Sequence, residues 1–153
     1  MSVLQFPRVL IWLVASLFLV AGSATCTQAA EEMKIRAVLV WATDDANPPA
    51  GKNYQPVAAE IRKRLRALKW KNYFEVKHID FTASSLSHKS VPVSDKCSLD
   101  VRALGNSQVE VTLIGKGKVV GTVKGALPKN EILVPGGDAP NDTAWLVILK
   151  RLD

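Results

Sequence analysis

Met33-Lys34-Ile35-Arg36-Ala37-Val38-Leu39-Val40-Trp41-Ala42 is the stretch on which the fold turns. Ile35 alternates with Lys34 and Arg36, and from Ala37 the chain runs continuously apolar to Ala42. A period of two marks a strand with one wet face, and an unbroken apolar run marks a strand covered on both. The stretch therefore reads as a strand that enters a sheet from its rim and becomes central. Thr143 to Leu149 is apolar at nearly every position, Trp145 included, and needs two covered faces for the same reason. The first and last strands are expected to be neighbours.

Between them the period changes once. Thr43-Asp44-Asp45-Ala46-Asn47-Pro48-Pro49-Ala50-Gly51 breaks regular structure, because prolines remove ladder donors. Pro56 then stands where a helix would begin, and Val57, Ile61, Leu65 and Leu68 follow at helical spacing. The spacing predicts an amphipathic helix over Pro56 to Lys69. From Tyr73 the period returns to two and stays there. Strands are expected at Tyr73 to Phe81 and at Ser90 to Ser94, the second on an edge because it holds Pro92. Cys97, Leu99, Val101 and Ala103 are answered across Gly105-Asn106 by Val109, Val111 and Leu113, which is a hairpin signature. Gly115-Lys116-Gly117 marks a further turn before Lys118 to Lys124, where Gly121 signals a bulge or bend. Ile132-Leu133-Val134 is short and runs into the loop Pro135 to Asp142. The expected class is α+β: one amphipathic helix packed on a largely antiparallel sheet of about six to eight strands, β-α and then a β-meander.

The 153 residues allow one small domain preceded by a leader. Arg8 is the only charge before Glu31, and the apolar run Val9 to Gly22 is followed by small and polar residues to Ala30. This order is that of a secretory signal peptide, and the run is too short to span a bilayer core of about 30 Å. Residues 1–29 are expected to be a cleaved signal peptide and 30–153 a single α+β domain, with no transmembrane span in the mature chain. Thr27-Gln28-Ala29 and Gly22-Ser23-Ala24 both meet the small-x-small rule, and cleavage after Ala29 is favoured over Ala24. The later cut removes Cys26 and leaves Cys97 alone; the earlier one keeps both, and the redox state of Cys97 follows that choice. The expected location is periplasmic or secreted.

Motifs that name a reaction are missing. Gly115-Lys116-Gly117-Lys118-Val119-Val120-Gly121 has neither dinucleotide-binding nor P-loop spacing. Asp44, Asp45, Asp138, Asn141 and Asp142 offer oxygen ligands from two loops, without EF-hand spacing, so they are only weak metal candidates. Cys97, His78 and His88 lack zinc spacing, and Asp80 with Asp100 is an unselected carboxylate pair. No cofactor is expected. Charge is the better lead: removal of Arg8 with the leader leaves 19 basic against 14 acidic residues. Arg62, Lys63, Arg66 and Lys69 gather on the polar face of the expected helix and are the candidate anion-binding residues. Together these features imply a noncatalytic binding or scaffolding module at the cell envelope. Its expected partners are an anionic envelope polymer, a membrane surface or another envelope protein, rather than a specific nucleic acid. The alternative is a small extracytoplasmic enzyme, hydrolase-like, built on the loop carboxylates.

Overall fold

The computed structural model describes residues 30–139 and 142–153. The expected signal peptide, both cleavage sites and Cys26 lie outside the described residues, as do Pro140 and Asn141. In chain order the elements are β1 (Glu32–Thr43), β2 (Gln55–Pro56), α1 (Ala59–Arg64), β3 (Asn72–Ser84), β4 (Lys89–Ser94) and β5 (Cys97–Gly105). They continue with β6 (Gln108–Gly115), β7 (Lys118–Ala126), β8 (Ile132–Leu133), β9 (Gly136–Ala139) and β10 (Thr143–Arg151). The class is α+β and mostly β. The strands are more numerous than expected, and they form two antiparallel sheets rather than one.

The first sheet runs β2-β3-β1-β10, with β8 and β9 both on the outer side of β10; the second is the meander β4-β5-β6-β7. The first and last strands are neighbours, in register from Ile35 opposite Arg151 to Ala42 opposite Ala144. β1 explains the division into layers. Its odd positions Met33, Ile35, Ala37 and Leu39 are buried against the second sheet, together with Leu99, Val101, Val109 and Val111. Its even positions Val38, Val40 and Ala42 are buried against Val57, Ile61 and Leu65 of the helical segment. Lys34 and Arg36 share that even face but lie beyond the helix, where Arg36 forms a two-pronged pair with Asp80, Nε to Oδ1 at 2.6 Å and Nη2 to Oδ2 at 2.7 Å. The change from alternating to solid apolar sequence thus marks where helix cover begins.

A single helix could not have covered a sheet of this size. α1 has six residues, about 9 Å of length at 1.5 Å per residue. The two apolar sheet faces cover one another instead, which is how sandwiches close their cores. The helix is also shorter than Pro56 to Lys69. Pro56 pairs with Phe74 as a strand residue, and the Val57 N–H donates to the Tyr73 carbonyl, so the chain is still extended there. At the other end Leu65–Ala67 tightens into a 3-10 turn and Leu68 is extended. The Tyr73 hydroxyl donates at 3.0 Å to the Leu65 carbonyl, which also accepts the Leu68 N–H at the end of the helical segment.

Of the three two-residue hairpins among the described residues, one is Asp95-Lys96 between β4 and β5, and two have positive φ at each central residue, Asn106 and Ser107 in one and Lys116 and Gly117 in the other. That geometry matches the twist of the flanking strands. β4, with Pro92, is an edge strand as expected. The bulge foreseen near Gly121 falls at Val120, which is left over between the pairs Leu113–Gly121 and Ile114–Val119.

The loop expected over Pro135 to Asp142 holds β9. β8 and β9 meet β10 in one continuous register, and the Val147 N–H donates to the Pro135 carbonyl between them. They are one edge strand interrupted where proline has no N–H to give. Gly136 is required here: a Cβ would lie 2.6 Å from Leu146 Cδ2 and 3.0 Å from the Trp145 carbonyl oxygen. Gly136→Ala is expected to lower stability by about 1–3 kcal/mol through overpacking, read as a reduced urea midpoint. An unchanged midpoint would show that β9 does not press on β10.

Candidate functional site

The two sheets do not close evenly. Near the Asn106 turn they are tight: Leu127 is fully buried, its N–H donates to the Ser107 carbonyl, and a Cβ on Gly125 would touch Leu133 Cδ1 at 3.0 Å. At the opposite end nothing lies within 4 Å of a Cβ placed on Gly121. The sandwich is therefore a wedge, and its open end is a cleft of about 720 Å³. Leu39, Val76, Trp145 and Val147 of the first sheet form one wall, and Cys97, Leu113 and Val120 of the second form the other. Gly137 and Ala139 of β9 bound one side and Tyr54, from the loop before β2, the other.

Charge appears only at the mouth, where the β4–β5 turn contributes Asp95 and Lys96 and the β6–β7 turn contributes Lys116. The Lys116 N–H donates to the Lys96 carbonyl at 2.7 Å, so the two lysines spring from adjoining backbone. Neither ammonium has an ion-pair partner among the described residues. Lys124, further along β7, is paired with Glu110 at 2.7 Å. Apolar side chains stand open beside the cleft: Val120 is 63% exposed and Trp145 is 40% exposed. Trp145 meets Trp41 edge-on, ring centroids 4.6 Å apart. Burial pushes the Cys97 thiol above its ordinary range, which keeps it protonated and weakly nucleophilic.

The candidate anion-binding residues lie elsewhere, on the helical segment that covers the far face of the first sheet. Arg62, Lys63, Arg66 and Lys69 are all exposed. Lys69 sits over the Trp70 ring, 4.9 Å from its centroid. Arg62 borders a dimple of about 100 Å³ with Pro56 and Phe74. Neighbouring cations are engaged: Arg64 with Glu131 at 2.7 Å, and Lys150 with Glu60. Arg62, Lys63 and Arg66 have no ion pair among the described residues.

The two carboxylate loops do come to one end of the first sheet, joined through Trp70 and Lys71. The Trp70 indole N–H donates to the Asp142 carbonyl at 2.7 Å, and Asp44 Oδ1 accepts the Lys71 backbone N–H at 3.0 Å. The Asp45 backbone N–H donates to Thr43 Oγ1 at 3.1 Å, and Asp138 pairs through its backbone with Ala144. Among the described residues no group of three or more His, Cys, Asp or Glu is placed to hold a metal ion. Asp80 and Asp100 stand on opposite outer faces of the sandwich, since Asp80 pairs with Arg36 and Asp100 alternates with the inward Leu99 and Val101. They form no carboxylate pair. His78 Nδ1 contacts Glu75 Oε1 at 2.7 Å on that same outer face, remote from Cys97.

Among the described residues no helix is long and apolar enough to cross a membrane. Comparison of the chain with protein-family models, with curated proteins and with solved structures returns no match.

Proposed function

We propose that this chain is an exported, noncatalytic binding module whose ligand seat is the cleft between the sheets. The observation that carries the reading is the uneven closure of the sandwich. Apolar walls that would bury one another in a closed core are left facing about 720 Å³ of open space, within the roughly 300–1,000 Å³ typical of small-molecule sites. Burial pushes the cleft's thiol above its ordinary range, which weakens it as a nucleophile. 1-Decanol, a neutral apolar probe, is expected to titrate to one saturable site per chain by calorimetry. Absence of saturable heat would overturn the reading.

The exposed cations support an accompanying proposal about placement. Arg62, Lys63 and Arg66 turn away from the cleft, so an anionic envelope polymer or membrane surface could be met on one side while the ligand seat stays open on the other. The signal-like leader supports a periplasmic or secreted location. Retention on vesicles containing anionic lipid is expected at low salt and to fall steeply as salt rises. Replacing Arg62, Lys63 and Arg66 by glutamine should remove most of it, at about 1 kcal/mol per cation. Retention that survives the triple substitution would take the helix out of the account.

A further inference from the structure

The cleft joins two chemistries that select different parts of one ligand, and we propose that its occupant is a fatty-acid anion, the alkyl chain lying between the sheets and the carboxylate meeting Lys96 and Lys116. This rests on the reading of the cleft as a ligand seat. The walls at β1, β10, β5 and β6 are sheet faces, whose backbone N–H and C=O groups are spent in the plane of each sheet, and the open edges of β7 and β9 lie at the rim. They present Leu39, Leu113 and Val147 side chains and no row of donors or acceptors. A peptide lying between those faces, away from the rim, would leave its own backbone groups without partners, a penalty an alkyl chain does not incur.

The head is selected at the mouth. Lys96 and Lys116 are held together by the 2.7 Å backbone hydrogen bond between their turns, and both ammoniums are exposed without an ion pair among the described residues. Among the described residues Asp95 is the one carboxylate lining the cleft, against Lys96 and Lys116. Two adjoining cations at the end of an apolar slot complement a single carboxylate on a single chain.

The test compares decanoate with 1-decanol on the full chain at pH 7 and low salt, by calorimetry. Decanoate is expected to bind at least tenfold more tightly, and the excess should shrink as salt is raised. In the Lys96→Gln, Lys116→Gln double variant the two probes should bind alike, with 1-decanol unchanged from the parent. Across straight-chain acids of eight to twelve carbons, each methylene should tighten binding by about fourfold. Equal affinity for decanoate and 1-decanol, or for a zwitterionic single-chain phosphocholine and decanoate, would overturn the anionic head while leaving the cleft as an apolar seat. Failure of both decanoate and 1-decanol to bind would overturn the seat itself. Both lysines are exposed turn residues, so loss of the fold does not cloud the double variant; far-UV circular dichroism checks this.

Discussion

Val40→Asp and Ile35→Asp are each expected to abolish cooperative folding, whereas Val119→Asp leaves the fold intact. Val40 and Ile35 are 0% exposed on opposite faces of β1, and Val119 is 66% exposed on β7. An ionised carboxylate buried without a partner costs several kcal/mol even after relaxation, against a total stability of about 5–15 kcal/mol for a domain of this kind. Val40 is packed with Ile61 and Leu65, and Ile35 with Leu99 and Val101; Arg151, opposite Ile35 in the register, is already paired with Asp153 at 2.7 Å. Urea titration followed by far-UV circular dichroism reads the outcome. A cooperative Val40→Asp variant would mean that the helical layer does not cover β1; a cooperative Ile35→Asp variant would say the same of the second sheet.

The other large effect is expected at Gly121. This residue faces Leu113 across the β6–β7 pair, has an extended backbone, and has open space where a Cβ would stand. Gly121→Leu should fill the mouth of the wedge. Stability is expected to rise by about 1 kcal/mol or more, from lost unfolded-state freedom and better strand propensity. Affinity for 1-decanol should fall at least tenfold. A side chain that strengthens the fold while weakening binding is the pattern of a position held open for function. If stability rises and binding is untouched, the ligand does not sit between the sheets.

Much of the architecture is written locally. β1 announces both of its covered faces, and the alternation around Gly105 fixes a hairpin whose register can be read without coordinates. The division into two sheets is not local. It depends on the chain leaving β3 at Ser84 and starting a new layer at Lys89, and no residue between them carries a signal that distinguishes crossing over from continuing the same sheet. The helix is shorter than its spacing predicts because Val57, at helical spacing from Ile61, has its backbone claimed by Tyr73. Gly136 and Gly137 look like loop residues, yet glycine at 136 serves close approach to Leu146 rather than a turn.

The cleft was illegible for the same reason as the second sheet, because a space between layers has no sequence of its own. Its traces are visible in retrospect. Val120 is apolar on an edge strand with little to pack on, and Trp145 is a large aromatic left partly open in an otherwise buried strand. The cationic cluster around Arg62 was legible because charge density survives any change in helix length.

Cys97 gives the most direct test, because its sulfur belongs to the cleft wall and, in a chain carrying Cys26→Ser, it is the only thiol. Alkylation by iodoacetamide would be timed by mass spectrometry, at alkaline pH because the thiol is pushed up from its usual range. With saturating 1-decanol the rate is expected to drop at least tenfold, and to recover when the alcohol is removed. A rate that stays the same while 1-decanol is bound would place the ligand somewhere other than between the sheets.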